Sequence, residues 1–133
     1  MISHEIQIRI RYGETDQMGF CYYGNYAQFL EVARVETLRK FGISYKQLEE
    51  DGILLPVRNF SIKYIAPAKY DDIIHIQTVV NEIKNAQIIF TYSIFLNKKL
   101  IATAQTELVF VSAKNFKPMS MPKQFEFIKQ KLV

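Results

Sequence analysis

The sequence has few of the residues that mark several common classes of protein. It contains one cysteine, Cys21, so no disulfide can form within the chain, which fits a reducing compartment. No apolar run approaches the roughly 20 residues that a membrane-spanning helix needs. The N-terminal residues show neither the basic nor the apolar segment of a secretory signal. These absences predict a cytoplasmic protein without a membrane span.

Residues for metal and nucleophilic chemistry are also scarce. No set of histidine, cysteine or acidic residues has the spacing of metal ligands, and no phosphate loop of the GxxxxGK or GxGxxG type occurs. A Cys–His pair would require His75 to reach Cys21, and nothing in the sequence brings them together. We therefore expect no metal and no organic cofactor, and we interpret Cys21 as a packing residue.

The charge balance is only mildly basic. There are 17 Lys and Arg residues against 13 Asp and Glu residues, a net charge of +4, and the densest basic run is Lys98-Lys99. Nucleic-acid binding is therefore disfavoured, whereas a ligand with several phosphates needs only a few lysines. The hydrophobic fraction of 49% and the length of 133 residues are typical of one globular domain, which we assign to residues 1–133.

Hydrophobic periodicity predicts a strand followed by a long helix. Residues 5–12 alternate between apolar and polar side chains. Apolar residues then recur at helical spacing over residues 25–41, with Asn25 as the N-cap, Gln28 completing a capping box and Gly42 ending the helix. A short second helix is expected from Ser44 to about residue 50.

Strand patterns dominate the remainder of the chain. They predict strands over residues 54–66, 73–80, 87–96 and 100–111, a polar turn over 81–86, a hairpin at 97–99, and a short helix over 123–132. Successive hairpins give an antiparallel sheet, and one apolar helix packed on it gives an α+β fold. We expect about five strands wrapped around one long helix, with a second copy covering an exposed edge in a homodimer or homotetramer.

The acidic residues are the remaining candidates for catalysis. Glu14 and Asp16 lie in the glycine-rich loop before the helix, whose N-terminus carries unpaired N–H groups suited to an oxyanion. From spacing alone, a turn or capping role is favoured over a catalytic role for either acid. Asp71 and Asp72 are interpreted as turn residues. Glu31 and Arg34 lie three residues apart on the helix and are expected to pair.

The loop and the helix together carry a resemblance to a known family. Residues 12–26, YGETDQMGFCYYGNY, followed by Phe29, Glu31, Ala33, Arg34 and Leu38, resemble the signature of the 4-hydroxybenzoyl-CoA thioesterase family of hotdog-fold acyl-CoA thioesterases. Residues 56–64 and 66–72 are also similar to that family. The resemblance covers residues 5–111 and implies a hotdog fold, which agrees with the order of elements predicted above.

The resemblance also implies roles for particular residues. Asp16 aligns with the catalytic carboxylate, which acts either as a nucleophile or as a general base for water. Tyr23, where many relatives have histidine, aligns with the residue whose backbone N–H polarises the thioester carbonyl, and Gly24 beside it is expected to bind substrate. Because the family places this site at a subunit interface, Asn59 and Ser61 are expected to complete it from a partner chain.

Phosphate contacts are harder to assign. Of a basic cluster that grips the nucleotide in some members of the family, only Lys84 is present here, and Lys63, Lys69, Lys98 and Lys99 are the alternatives. The resulting hypothesis is an acyl-CoA thioesterase that releases a carboxylic acid and CoA. Two alternatives stay open, namely an acyl-carrier-protein thioesterase and a non-catalytic acyl-CoA-binding hotdog dimer. The sequence does not predict the acyl chain that is preferred.

Overall fold

The computed structural model describes residues 2–132 as one antiparallel sheet with helices packed against it. The elements, in chain order, are β1 (Ser3–Arg9), 3-10 turns at Tyr12–Glu14 and Tyr23–Asn25, α1 (Tyr26–Lys40), α2 (Tyr45–Glu50), β2 (Ile53–Leu54), β3 (Val57–Tyr64), β4 (Ile73–Lys84), β5 (Gln87–Leu96), β6 (Lys99–Val109), β7 (Val111–Ser112), a 3-10 turn at Lys123–Phe125 and α3 (Glu126–Lys131).

The main sheet has five strands in the order β1-β4-β5-β6-β3, and every neighbouring pair is antiparallel. β2 and β7 form a separate two-stranded pair. The longest helix, α1, packs on one face of the main sheet and contacts β1 and β4. This arrangement confirms the predicted α+β class and the predicted sheet of about five antiparallel strands around one long helix.

The core lies between α1 and the inner face of the sheet. Apolar residues alternate along β4 and β5 and are buried where they face the helix, which in turn buries one side of its own surface. Each fully buried isoleucine, leucine or phenylalanine contributes about 1.5–3 kcal/mol. The buried residues that hold α1 on the sheet include Phe29, Leu30, Ala33, Leu38, Ile74, Ile76, Ile88, Phe90 and Ile94.

The start of α1 differs from the prediction. Asn25 has helical backbone angles and makes no capping hydrogen bond, so the predicted capping box with Gln28 is wrong. Instead, Asn25 Nδ2 donates to the backbone oxygen of Glu14 at 2.7 Å. A 3-10 turn over Tyr23–Asn25 precedes the helix, with Tyr22 as its extended N-cap. The first free N–H groups are therefore those near Tyr23, not those after Asn25.

α1 ends just before Gly42, as predicted. Gly42 has a φ of +86°, which glycine adopts without strain. The N–H of Gly42 donates to the oxygen of Arg39 at 3.0 Å, and the N–H of Ile43 donates to that of Leu38 at 2.9 Å. This pair of bonds is a Schellman motif. α2 begins as expected, because Ser44 Oγ accepts from the N–H of Gln47 at 3.2 Å.

Two boundaries in the strand region also differ. The predicted polar turn over 81–86 is wrong, because β4 continues past an irregularity near Asn81 and pairs Ile83 with Ile88 and Lys84 with Gln87. Burial of Ile83 and Ile88 favours this longer hairpin, and only Asn85 and Ala86 are left to turn. The predicted strand over 54–66 is interrupted, so that β2 pairs with β7 and β3 pairs with β6.

β3 is an edge strand with little protection. Seven of its eight residues are exposed, and Ile62 is half-buried. Phe60 and Tyr64 lie on the same face of the sheet as the helix, because they are in register with Thr106 and Ala102 of β6, which are buried. Within residues 2–132, none of the helices combines the length and apolarity that crossing a membrane requires.

Candidate active site

Asp16 stands at the beginning of a tight turn between β1 and α1. Its N–H donates to the oxygen of Phe20 at 2.8 Å, and its own oxygen accepts from the N–H of Gly19 at 2.9 Å. Gly19 has a φ of +86°, which a residue with a Cβ adopts only with strain. Thr15 and Cys21 form a bridge across the same small loop. The turn therefore holds the backbone of Asp16 in one position.

The Asp16 carboxylate is held through one of its two oxygens. Oδ1 accepts hydrogen bonds from the N–H groups of Met18 at 3.0 Å and Phe20 at 3.2 Å. In the part of the chain that the structure describes, Oδ2 makes no hydrogen bond to protein. The side chain is half-buried. It therefore has a fixed orientation and one oxygen available to a substrate or to water.

The tip of α1 supplies donors near this carboxylate. Among residues 2–132, the N–H groups of Tyr23 and Gly24 donate to no backbone oxygen. Free N–H groups at a helix end carry partial positive charge and bind oxyanions. A Cβ at Gly24 would lie 2.6 Å from a ring carbon of Tyr22, so any other residue here would require the half-exposed Tyr22 ring to move. The missing side chain also leaves the backbone open to a ligand.

Glu14 connects the loop to the helix tip. Its backbone oxygen accepts from the N–H of Tyr22 at 2.8 Å as well as from the Asn25 amide. Its buried carboxylate accepts from the N–H of Arg11 at 2.7 Å and from the Arg11 guanidinium at 2.8 Å. Burial works to raise the pKa of Glu14, but the bonds and charge of Arg11 outweigh it and lower that pKa. Glu14 is thus a structural residue, one of the two interpretations that the sequence left open.

Tyr64 braces the helix tip from β3. Its hydroxyl donates to the backbone oxygen of Tyr23 at 3.1 Å, and its ring meets those of Tyr23 and Tyr26 edge to face. Sequence reasoning did not assign this contact to Tyr64. The signal was the alternation of Phe60, Ile62 and Tyr64, which places Tyr64 on the helix side of the sheet at the end of the strand.

A cavity of about 270 Å³ joins these parts. Asp16 and Tyr23 both line it, and its other walls are mainly apolar or aromatic. The lining also includes Met18, Phe20, Cys21, Tyr26, Tyr64 and Ile65. An apolar cavity with a few converging polar groups is the usual form of a small-molecule site. A carboxylate and a helix tip with unpaired N–H groups thus line one small cavity.

Cys21 lines the same cavity but is a poor nucleophile. It is 6% exposed, and burial raises the pKa of its thiol to about 11, with the charge of Glu14 acting in the same direction. At neutral pH the reactive thiolate is therefore rare. This agrees with the interpretation of Cys21 as a packing residue, since the core buries it.

The remaining predicted substrate contacts lie elsewhere in the chain. Asn59, Ser61 and Lys63 are exposed on the outer face of β3, in register with Glu107, Gln105 and Thr103 of β6. Lys84 lies where β4 turns into β5. That position is at the opposite end of the sheet from Tyr64, because Lys84 aligns through β5 with Val109 whereas Tyr64 aligns with Ala102. The chain alone does not bring these four residues to the cavity.

Two acidic residues predicted to be structural are confirmed as such. Asp72 Oδ2 accepts from the N–H of Lys69 at 2.8 Å and so closes the bend before β4. Asp71 pairs with Arg9 at 3.1 Å. Both interactions fix the segment beside the site loop, where Cys21 donates its N–H to the oxygen of Ala68 at 2.7 Å.

Comparison with known proteins identifies the family. The model of the thioesterase-like superfamily matches residues 10–132. The chain belongs to this superfamily. It is 31% identical over 120 residues to the putative acyl-CoA thioesterase YneP of Bacillus subtilis, covering 90% of this chain and 87% of that protein. It is 32% identical over 118 residues to the acyl-CoA thioesterase YbgC of Haemophilus influenzae, covering 88% and 87%.

Solved structures of thioesterases share the fold. A DHNA-CoA thioesterase from Staphylococcus aureus superposes with a TM-score of 0.90 at 34% identity, covering 98% of this chain and 88% of that one. The 4-hydroxybenzoyl CoA thioesterase of a Pseudomonas strain gives 0.88 at 23% identity, covering 96% and 99%, and supports the fold alone. The hotdog fold and the family resemblance predicted from the sequence are both confirmed.

Proposed function

We propose that this thioesterase-like protein hydrolyses acyl-CoA thioesters to a carboxylic acid and CoA. One observation carries the proposal: Asp16, with one carboxylate oxygen free, and Tyr23, at the helix tip whose N–H groups are unpaired among residues 2–132, line one cavity. A thioester is already activated, so a carboxylate and oriented donors suffice for its hydrolysis. The names of the relatives from Bacillus subtilis and Haemophilus influenzae support the same activity.

In the general-base mechanism, Asp16 removes a proton from water while the water oxygen bonds to the acyl carbon. The N–H groups of Tyr23 and Gly24 donate to the carbonyl oxygen as it becomes negative, which contributes about 3–4 kcal/mol for a strong donor. When the C–S bond breaks, its electron pair leaves with sulfur, and the proton held by Asp16 returns to the thiolate. The products are the carboxylic acid and CoA.

In the nucleophilic mechanism, Asp16 Oδ2 itself bonds to the acyl carbon and CoA leaves as the thiolate. Water then cleaves the resulting anhydride into the carboxylic acid and the Asp16 carboxylate, and the proton that is released goes to the CoA thiolate. The free Oδ2 and the anchored Oδ1 suit both mechanisms. Both use the backbone of residue 23 and not its side chain, so tyrosine in place of the histidine of many relatives is compatible with either.

We extend the proposal to a homodimer formed through β3. This edge strand exposes unpaired backbone groups together with the apolar side chains of Val57, Phe60 and Tyr64, and Ile65 follows it with 52% exposure. Such an edge is a ready template for pairing with a second strand, and a two-fold axis would pair β3 with its copy. The partner would then cover the cavity, which lies between β3 and the start of α1.

The dimer gives a role to the predicted substrate contacts that are far from Asp16. We retain Asn59, Ser61 and Lys63 as contacts across the dimer interface and Lys84 as a contact to phosphate, because all four are exposed. A tetramer built from two such dimers is equally compatible with the chain. We also propose that residues 1–133 form one domain and that the protein is cytoplasmic, as a single cysteine, which cannot form a disulfide within the chain, favours.

The proposal is tested by hydrolysis of acyl-CoA esters with short, long and aromatic acyl groups. We expect turnover of at least one class, and we expect Asp16→Asn to lower kcat by about 100-fold or more, as for loss of a general base. Asp51→Asn makes the same chemical change on an exposed residue of the α2 C-terminus and serves as the control. Absence of hydrolysis for every ester, or an unchanged rate in Asp16→Asn, would refute the proposal.

Two further measurements separate the alternatives. Identical acyl groups presented on CoA and on acyl-carrier protein show which carrier is recognised, since the chemistry of the thioester is the same. A non-catalytic binding protein would show a higher melting temperature with acyl-CoA but no release of thiol.

A further inference from the structure

Five lysines are possible contacts for the phosphates of a CoA ester, and the fold separates them. Lys84 lies at the opposite end of the sheet from the catalytic cavity, and Lys63 lies on the outer face of β3. Lys98 lines a different cavity, on the outer face of the sheet, where three acidic side chains offset its charge. Lys69 and Lys99 remain, and both lie at the same end of the sheet as Asp16.

Lys69 follows the segment that forms one wall of the catalytic cavity. Ala66 and Pro67 line this cavity, and Lys69 comes two residues after Pro67, at most about 7 Å along an extended chain. The backbone of Lys69 forms a bridge with Phe20, which also lines the cavity. Its N–H donates to Asp72 Oδ2 at 2.8 Å. The backbone of Lys69 is therefore held beside the cavity wall, and its side chain is exposed.

Lys99 approaches the same wall from β6. It is in register with Leu96 of β5, which packs against the core, so Lys99 lies on the face of the sheet that carries α1. The oxygen of Ile101 accepts from the N–H groups of Ile65 and Ala66 at 2.8 and 3.1 Å, and both of these residues line the cavity. Lys99 comes two residues before Ile101, which is about 7 Å along a strand.

Neither lysine is engaged with an acid. Among residues 2–132, no ion pair includes Lys69 or Lys99. The two acids of the bend that contains Lys69 are in use, because Asp72 accepts from the Lys69 N–H and Asp71 pairs with Arg9. Both lysines also lie outside β3, the strand that the proposed dimer would pair with its copy. Two ammonium groups are therefore available beside the wall formed by residues 65–67.

The position of these ammonium groups suits the covalent structure of CoA. The pantetheine arm separates the thioester from the diphosphate, so cations that bind the diphosphate belong outside the cavity that holds the thioester. Of the described residues that line the cavity at Asp16, none is a lysine or an arginine. Lys69 and Lys99 each lie a short distance beyond its wall.

We propose that Lys69 and Lys99 bind the diphosphate of CoA, on the same chain as the Asp16 that faces the thioester. Ammonium groups bind phosphate oxygens through charge-assisted hydrogen bonds, which are stronger than bonds between neutral groups. The two lysines thus determine affinity for the carrier and not the chemistry of the acyl group. Lys84, at the other end of the sheet, can add a contact from the partner chain. This inference rests on the proposed thioesterase function.

The test compares the CoA, dephospho-CoA and pantetheine thioesters of one acyl group. Dephospho-CoA keeps the diphosphate, whereas pantetheine has no phosphate. The double variant Lys69→Gln/Lys99→Gln should lower kcat/KM for the first two esters by about tenfold or more, mainly through KM, as for loss of charged hydrogen bonds. It should leave kcat/KM for the pantetheine ester largely as it is. Lys40→Gln/Lys46→Gln removes the same charge from exposed lysines and should change none of the three values.

Three results would overturn the inference. The double variant could lower kcat/KM equally for all three esters, or only for the CoA ester, which would assign the lysines to the 3′-phosphate. Alternatively, Lys84→Gln could reproduce the loss while the double variant has no effect. If the unchanged protein hydrolyses no ester, the proposed function fails instead. Calorimetric titration of the unchanged protein and the double variant with CoA then decides whether the two lysines bind the diphosphate.

Discussion

The Tyr64 hydroxyl donates a hydrogen bond to the backbone oxygen of Tyr23, with 3.1 Å between the two oxygens. The two residues are 41 positions apart in the sequence, so this bond links the end of β3 to the tip of α1. At this tip Tyr23 lines the cavity, and the N–H groups of Tyr23 and Gly24 have no backbone acceptor among residues 2–132. Their orientation toward a thioester carbonyl therefore depends partly on an edge strand.

Tyr64→Phe removes only this hydrogen bond and keeps the ring contacts with Tyr23 and Tyr26. We expect kcat to fall by about fivefold, because a neutral hydrogen bond contributes about 1 kcal/mol. The melting temperature should change little, since Tyr64 is 43% exposed. The measurement is acyl-CoA hydrolysis beside a thermal melt. Tyr70→Phe, at a tyrosine with 56% exposure, is the matched control, and an equal loss of kcat in both would contradict the bracing role.

The two hydrogen bonds to Asp16 Oδ1 separate its structural role from its chemical role. Asparagine can still accept the bonds from Met18 and Phe20, whereas alanine cannot. We expect both Asp16→Asn and Asp16→Ala to lose activity, but we expect only Asp16→Ala to be destabilised, by about 1–2 kcal/mol. Urea denaturation of the three proteins measures this difference. Equal stability of the two variants would mean that the turn does not depend on the carboxylate.

The lowered pKa of Glu14 predicts that the fold is less stable at acid pH. Its pKa is lowered below the ordinary value of 4.5 in the folded state, so its ionised form stabilises the fold above that pH. As the pH falls through the lowered pKa, the carboxylate becomes protonated and this stabilisation is lost. In Glu14→Gln, the free energy of unfolding at pH 7 should fall, by about 1–3 kcal/mol for an imperfectly paired buried group. Between pH 5 and pH 3, the free energy of unfolding should then decrease less in Glu14→Gln than in the unchanged protein.

The control for this experiment is Glu49→Gln, which changes an exposed residue of α2. Denaturation curves collected across the pH range give the free energy of unfolding of the two variants and of the unchanged protein. If the free energy of unfolding decreased with falling pH as steeply in Glu14→Gln as in the unchanged protein, the contacts of Glu14 with Arg11 would not be the cause of the acid sensitivity. Because the Arg11 side chain is 77% exposed, most of the stabilisation should come from its backbone N–H.

Local patterns in the sequence were sufficient for much of the fold. Alternation predicted the strands, helical spacing predicted α1, and the glycine at position 42 predicted where α1 ends. The boundaries that were wrong depend on tertiary contacts. The polar residues Asn81, Glu82 and Lys84 resemble a turn, yet Ile83 between them is buried because the strand continues. Local composition does not contain that contact.

For the candidate site, the sequence predicted particular residues but not their contacts. The family signature pointed to Asp16 and Tyr23, and the cavity contains both. The capping role of Asn25 was wrong because its amide is used by the Glu14 oxygen, which lies 11 residues away. The contacts of Tyr64 likewise depend on how β3 lies beside α1. Periodicity assigns faces to these residues, but it does not give their partners.

The proposed dimer predicts the effect of a charge on β3. Ser61 is exposed near the middle of this strand, so a two-fold axis through β3 would bring its two copies close together. Ser61→Lys should raise the dimer dissociation constant by about fivefold or more, because like charges on facing strands repel. Sedimentation equilibrium measures the constant. Gln77→Lys adds the same charge on β4 and should have no effect, whereas a monomeric unchanged protein would contradict the dimer.

Cys21 provides a test against a competing nucleophile, because its thiol lines the same cavity as Asp16. Burial raises its pKa from 9.0 to about 11, so the thiolate is about 100-fold rarer than in a free cysteine. We expect iodoacetamide at pH 8 to modify the folded protein far more slowly than the unfolded chain.

Cys21→Ala should keep most of the thioesterase activity and lose about 1 kcal/mol of stability through poorer packing. The measurement combines kcat with mass spectrometry of the alkylated protein. Rapid alkylation of the folded protein that abolishes turnover, together with an inactive Cys21→Ala, would transfer the nucleophilic role from Asp16 to Cys21. The two anchored hydrogen bonds of the carboxylate and the protonated, buried state of the thiol both argue for Asp16.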